Sequence, residues 1–157
     1  EIRIRDWSSD VCSSDLMINL VLNWMQTFLI PTTRDKETVD LYSRLIEEEH
    51  EETVNEFDTG RSVEELKECA DLLWVTIAKV LSLGYTPEEI TSALEAVHES
   101  NMSKYSDTKE QLEDFITYHS LQGYSVKEVG KKKYVLLNSN GKIQKGPNYH
   151  AARINLK

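Results

Sequence analysis

The chain has little cysteine, no long apolar run and a shortage of positive charge, and each absence removes a class of protein. Two cysteines in 157 residues, Cys12 and Cys69, cannot build a disulfide framework. Cys69 falls on a predicted buried helix, so a reducing cytoplasm is the expected setting. The longest apolar stretch, from Ile18 to Ile30, is broken by Asn19, Asn23 and Gln26 and falls short of the roughly 18 residues that suggest a membrane span. The N-terminal stretch has no apolar h-region and is not a secretory signal. A soluble protein with no membrane partner is expected. Lys and Arg number 18 against 27 Asp and Glu, a formal charge of −9. That balance argues against broad nucleic-acid binding, which normally needs a basic face. An anionic ligand then depends on a metal and a few placed cations. No internal repeat or low-complexity linker divides the chain.

What is present in excess is acid, and its spacing is informative. Glu49 with Glu52, and Glu68 with Asp71, are pairs three residues apart, which on a helix share a face. Between them lies a predicted reversal, Asp58-Thr59-Gly60-Arg61-Ser62, with Gly60 suited to a helix end and Ser62 an N-cap with Glu65 at the capping-box position. At a rise of ~1.5 Å per residue, both pairs fall ~12 to 14 Å from the reversal, level with each other if the helices pack antiparallel. Leu41, Leu45, Glu49 and Glu52 form one stripe, and Glu68, Asp71, Val75 and Ala78 another. Four carboxylates converging on a partly buried site cost several kcal/mol per ion without a partner, and a divalent cation supplies one. An all-oxygen set favours Mg²⁺ or Mn²⁺ over Zn²⁺. The alternative for any single Glu-x-x-Glu is ordinary solvated acid. His50 lies one residue off the stripe and takes no ligand role, and His98, His119 and His150 lack metal-ligand spacing.

The periodicity predicts helices near 18–30, ended by Pro31, and near 35–57, 62–83, 86–100 and 107–121. Gly84 closes the third, and Thr86 caps the fourth before Pro87. Alternating Tyr124, Val126 and Val129, then Tyr134 to Leu137 before Asn138-Ser139-Asn140-Gly141, predict a small β-hairpin, Asn-Gly marking a turn. The expected fold is all-α, a four- to five-helix bundle with a C-terminal β-hairpin appendage. So few helices bury little apolar area, so faces carrying Leu72 and Ile77 are expected to pack on another subunit.

The segment Leu45-Ile46-Glu47-Glu48-Glu49-His50-Glu51-Glu52, followed by Glu68-Cys69-Ala70-Asp71-Leu72-Leu73-Trp74, resembles the Glu-Glu-x-x-Glu and Glu-x-x-Asp signature of the MazG-like all-α nucleotide pyrophosphohydrolases. That superfamily includes phosphoribosyl-ATP pyrophosphohydrolase and dimeric dUTPase. Ser100-Asn101-Met102-Ser103-Lys104 is similar to the Asn-x-x-Lys segment of bacterial and phage members acting on dNTPs, and Gly141 to Tyr149 more weakly resembles an extension of phage-type relatives. Trp74 stands where some relatives carry Tyr or Phe.

The resemblance implies hydrolysis of a (d)NTP between the α and β phosphates, giving a (d)NMP and pyrophosphate. It further implies Mg²⁺ held by Glu49, Glu52, Glu68 and Asp71, acting on the phosphates and on an attacking water. Glu48, at the edge of the same face, is the candidate base for that water or else a surface carboxylate. Asn101 and Lys104 are candidate substrate contacts or a solvated helix end. Trp24, with Phe28 and Ile30, resembles a base-pocket segment and equally fits a core stripe. Lys145, with Lys131, Lys132 and Lys133, either closes over the triphosphate or guards a strand edge. Relatives are dimers or tetramers, so a homodimer or homotetramer is expected. Two other readings stand beside this one: a phosphoribosyl-ATP pyrophosphohydrolase, and a helical interaction protein that keeps a metal for stability alone.

Residues 1–16 are read separately, because Arg5 to Leu16 resembles a translated sequencing adapter fused in frame, with Met17 the natural start. Without them the formal charge is −7 over 141 residues. The expected organisation is thus a non-native extension (1–16), a helical catalytic domain (17–122) and a hairpin tail (123–157).

Overall fold

In the computed structural model, residues 13–57, 62–130 and 132–155 are described. The predicted reversal at 58–61, Lys131 and most of the 1–16 segment lie outside them. Among the described residues there are five helices and three short strands, in two compact units, residues 1–91 and 92–157.

The first unit contains α1 (Ser13–Thr27), α2 (Lys36–Phe57), α3 (Val63–Ser82) and the start of α4 (Pro87–Met102). Helix α1 begins five residues before the predicted position and ends ahead of Pro31. Its end is set by Leu29, at φ 56°, with Leu29 N–H donating to Gln26 O at 3.2 Å and Ile30 N–H to Met25 O at 2.9 Å. This is the hydrogen-bond pattern of a left-handed helix stop, which normally uses Gly. Asp35 starts α2 by accepting from Thr38 N–H (2.9 Å) and the Thr38 hydroxyl (2.7 Å), and those bonds hold its carboxyl below the ordinary range. Ser62 caps α3, accepting from Glu65 N–H at 3.0 Å. Thr86 and Glu89 form a reciprocal capping box at the start of α4, with bonds of 2.9 and 3.2 Å. Gly84, at φ 89°, closes α3 as expected.

The core of this unit joins Ile18, Val21 and Met25 of α1 to Tyr42 of α2, Val75, Ala78 and Leu81 of α3, and Ile90 of α4. The inward face of α2 is Thr38, Tyr42, Leu45 and Glu49, so the predicted stripe is turned by well under the ~100° of one residue, keeping Leu45 and Glu49 inward and leaving Leu41 and Glu52 exposed. Leu41 is 44% exposed while Tyr42 is buried. The second correction concerns α3. Ile77 packs against the chain's own core and Leu72 is half-buried. The apolar side chains α3 leaves outside are Val63, Leu66, Ala70 and Leu73, at i, i+3, i+7 and i+10.

The second unit holds the rest of α4, β1 (Tyr105–Ser106), α5 (Lys109–Tyr118), β2 (Ser125–Val129) and β3 (Lys133–Leu137). The sheet is antiparallel in the order β1-β3-β2, with Val126 opposite Leu136 and Tyr105 opposite Val135. The β2–β3 connection runs through Gly130, at φ 60°, to Lys132. Asn140-Gly141 makes a second turn after β3, returning Gln144 N–H to Leu136 O at 2.7 Å. The predicted hairpin is therefore present, and both turns and the two-residue β1 add to it. Leu112, Val135 and Leu136 are buried beneath α5 and the sheet.

Candidate functional site

Helix periodicity and the antiparallel packing of α2 on α3 bring Glu49, Glu68 and Asp71 together. Carboxylate oxygens of all three lie within 4.8 Å of one another, a grouping able to hold a metal ion. Glu68 is more enclosed than Asp71, its side chain 13% exposed against 45%. Its Oε2 atom is buried without a hydrogen-bond partner, and a buried charged oxygen left unpaired is costly. The donor set is all carboxylate oxygen, suited to a hard divalent cation. The residues therefore fit such an ion.

The fourth predicted ligand differs from the other three. Glu52 is exposed and leans on Glu68 rather than completing the tight group. A hydrogen bond to Glu68, followed by burial and the charges of Glu68, Glu49 and Glu48, pushes its carboxyl above the ordinary 4.5. Glu48 is exposed, and its charge reaches both Glu49 and Glu52. For Glu49, burial comes first and then the charges of Asp71, Glu68 and Glu48, all of them raising its carboxyl.

Lys67 supplies positive charge the motif reading omitted. Its Nζ lies 2.9 Å from Asp71 Oδ2 and 3.0 Å from Glu68 Oε1. The bonds to Asp71 and then to Glu68 hold the ammonium well above its ordinary 10.5. The i, i+4 spacing of Lys67 and Asp71 was the available sequence signal. Trp74 was legible in the same way, three residues beyond Asp71 on the same face.

A cavity of about 540 Å³ adjoins the cluster, lined by Trp24, Ile30, Leu45 and Trp74 with Glu49 and Asp71 at its polar side. Trp24 meets Trp74 edge to face at 6.0 Å and Phe28 at 5.5 Å. Trp24 is thus both packed against the core and part of a pocket wall. Phe28 is 63% exposed.

The remaining predicted residues belong to the second unit. Lys104 Nζ donates to Asn101 Oδ1 at 2.7 Å. Lys104 and Lys145 line one cavity, and Lys145 Nζ stands 4.5 Å over the Tyr149 ring. The tail is stapled to this segment: Ser100 Oγ donates to His150 O at 2.8 Å, and His150 N–H to Ser103 Oγ at 3.0 Å. Nothing in the spacing of these hydroxyls announced the contact, which spans 47 to 50 positions. Lys133 is engaged elsewhere, paired with Asp107 and 4.2 Å above the Tyr105 ring.

The raised carboxylates make stability depend on pH. Their native pKa values exceed the unfolded one, so the native chain takes up these protons first as pH falls. The resulting stabilisation is complete below about 4.5 and is lost as pH rises through the raised values. In chelator, Glu49→Gln should match the wild type in urea denaturation near the ordinary carboxylate pKa and become the more stable chain towards neutrality. A gap that stays constant with pH would refute the repulsion.

Residues 25–101 match the family model described as phosphoribosyl-ATP pyrophosphohydrolase. The match contains α2, α3 and the three clustered carboxylates, and it lies in the MazG-like superfamily of nucleotide pyrophosphohydrolases. No curated protein and no solved structure matched the chain. No single helix among the described residues is long and apolar enough to cross a membrane.

Proposed function

We propose that this chain is a divalent-cation-dependent (d)NTP pyrophosphohydrolase, cleaving between the α and β phosphates to release a (d)NMP and pyrophosphate. The observation that carries the reading is the convergence of Glu49, Glu68 and Asp71 beside a Trp-lined cavity, within a segment of a pyrophosphohydrolase family. Glu49, Glu68 and Asp71 hold the cation, with Glu52 against Glu68 as the fourth carboxylate. Mg²⁺, or Mn²⁺ in its place, supplies charge neutralisation on the phosphates and acidifies water. Glu48 stands at the rim of this group and takes the role of orienting or deprotonating the attacking water. The Trp24 ring offers a flat apolar wall for the base.

Asn101, Lys104 and Lys145 are assigned to substrate phosphates. The motif resemblance supports this, as does the clustering of both lysines at one cavity. An ammonium contributes a charge-assisted contact worth roughly 1.5 to 3 kcal/mol. Lys104→Ala should therefore raise KM about tenfold or more while changing kcat less. Unchanged steady-state constants would remove Lys104 from the substrate site.

The family description favours a second substrate, phosphoribosyl-ATP, on which the same α–β cleavage acts. The full chain incubated with each NTP, each dNTP and phosphoribosyl-ATP, with Mg²⁺ or Mn²⁺, separates the two by chromatography of the products. Monophosphate plus pyrophosphate from dNTPs is the expected result. Turnover confined to phosphoribosyl-ATP replaces the substrate, and diphosphate plus phosphate overturns the reaction. A melting temperature raised by metal with no turnover of any substrate moves the chain to a structural metal role. The exposed row Val63, Leu66, Ala70 and Leu73 on α3 supports a homodimer or homotetramer, read by sedimentation velocity. A cytoplasmic location is part of the same reading.

A further inference from the structure

The two units differ in charge far more than the chain as a whole suggests. Residues 1–91 carry eight Lys and Arg against twenty Asp and Glu, or −12. Residues 92–157 carry ten against seven, or +3, the two together giving −9. Three of those ten cations line a single cavity. A cavity of about 520 Å³ is lined by Lys104, Lys142 and Lys145 with Phe115, His119 and Tyr124, and no Asp or Glu is among its lining residues. Its size lies within the roughly 300 to 1,000 Å³ of small-molecule sites.

The three ammonium groups are uncommitted in a way that others nearby are not. Lys109 and Lys133 of the same unit pair with Glu113 and Asp107. Among the described residues, Lys104, Lys142 and Lys145 make no ion pair with a carboxylate; Lys104 is held by the neutral amide of Asn101, and Lys145 lies over the Tyr149 ring. Aromatic side chains line the same cavity. Phe115 and His119 have ring centroids 4.4 Å apart, inclined at 55°. Unneutralised ammonium groups and flat rings lining one cavity suit an anion that carries a planar heterocycle, since charge holds the anion and ring faces stack.

The loop that brings Lys142 and Lys145 to the cavity is itself anchored. Gln144 N–H donates to Leu136 O at 2.7 Å. Gly146 passes so close to Leu112 that an added Cβ would stand 3.1 Å from Leu112 Cδ2. The Tyr149–His150 end is tied to Ser100 and Ser103. The cations are therefore presented from a fixed strap rather than from a free tail.

We propose that residues 92–157 form a nucleoside phosphate site that works without a divalent cation, with Lys104, Lys142 and Lys145 holding the phosphate and Phe115, His119 and Tyr124 receiving the base. The site shares Lys104 and Lys145 with the substrate assignment above but requires neither the acidic cluster nor turnover.

Calorimetric titration of the full chain with AMP in excess chelator tests it, followed by the same titration with pyrophosphate and with adenosine. Saturable binding of AMP is expected, weakened at least about tenfold in a Lys142→Gln, Lys145→Gln double variant that loses two charge-assisted contacts. Both lysines are exposed, so the core is untouched, and circular dichroism verifies the fold. Phe115→Ala should weaken AMP but leave pyrophosphate affinity within about twofold, since only base stacking is lost. Glu49→Gln should leave metal-free AMP binding as in the wild type. No binding in chelator overturns the proposal, as does wild-type affinity in the double lysine variant. Pyrophosphate bound as tightly as AMP reduces the cavity to a polyanion patch and removes the base from the assignment. Loss of binding in Glu49→Gln places the ligand at the acidic cluster instead. Hydrolysis measured separately with Mg²⁺ reports on the enzyme reading, so either can fail alone.

Discussion

Asp71→Asn should lower kcat/KM by at least about a hundredfold while leaving the fold intact. Outer partners of metal ligands alone typically cost 10- to 100-fold on substitution, and Asp71 is placed in the ligand group itself, within 4.8 Å of Glu49 and Glu68. The amide keeps the shape and loses the charge. In chelator the same change removes one of several mutually repelling carboxylates, so the apparent melting temperature should hold or rise even though Lys67 loses one ion-pair partner. Lys67 keeps Glu68 at 3.0 Å. Steady-state kinetics and thermal melts on the same preparation check both halves. Wild-type rates in Asp71→Asn and in Glu49→Gln would dismantle the cation site.

Leu81→Ala should be the most damaging change to stability, at about 2 to 5 kcal/mol. Leu81 is 1% exposed and sits where α1, α2, α3 and the first turn of α4 meet, in the cluster with Ile18, Met25 and Ile90. Truncation there leaves a cavity that four elements would have to shift together to fill. Every tryptophan of the chain, Trp7, Trp24 and Trp74, lies in residues 1–91, so tryptophan fluorescence in a urea titration isolates the unfolding of this unit. A midpoint within experimental error of the wild type would show that Leu81 does not support the packing. The test also separates stability from chemistry, because no site carboxylate contacts the substituted methyls in the proposed mechanism.

Local rules made most of the helical part legible. Ser62, Thr86, Pro87 and Gly84 sit at the ends they predict, because caps and left-handed stops depend on neighbours a few residues away. Glu68, Asp71, Val75 and Ala78 lie on one inward face as their spacing requires. The end of α1 was read from Pro31, whereas the chain stops at Leu29, a non-glycine residue at positive φ that no propensity rule favours. On α2, Leu41 and Tyr42 are adjacent and both apolar enough to face the core, and the packing of Tyr42 against α1 and α3 decided between them. Glu52 followed the same slight rotation and came to rest on Glu68. In the second unit, β1 was hidden because two residues carry no periodicity. Its pairing with β3 is a long-range event, as is the staple between Ser100, Ser103 and His150.

The carboxylate cluster is assembled from two consecutive helices, with only 22 positions separating Glu49 from Asp71, whereas β1 must find β3 across the 30 positions from Tyr105 to Val135. Loop-closure entropy grows with that separation, and contacts close in sequence form fastest. The α2–α3 hairpin can therefore close without waiting for β1 to find β3. If its like charges already oppose one another in the transition state, the repulsion slows folding and leaves unfolding comparatively unaffected.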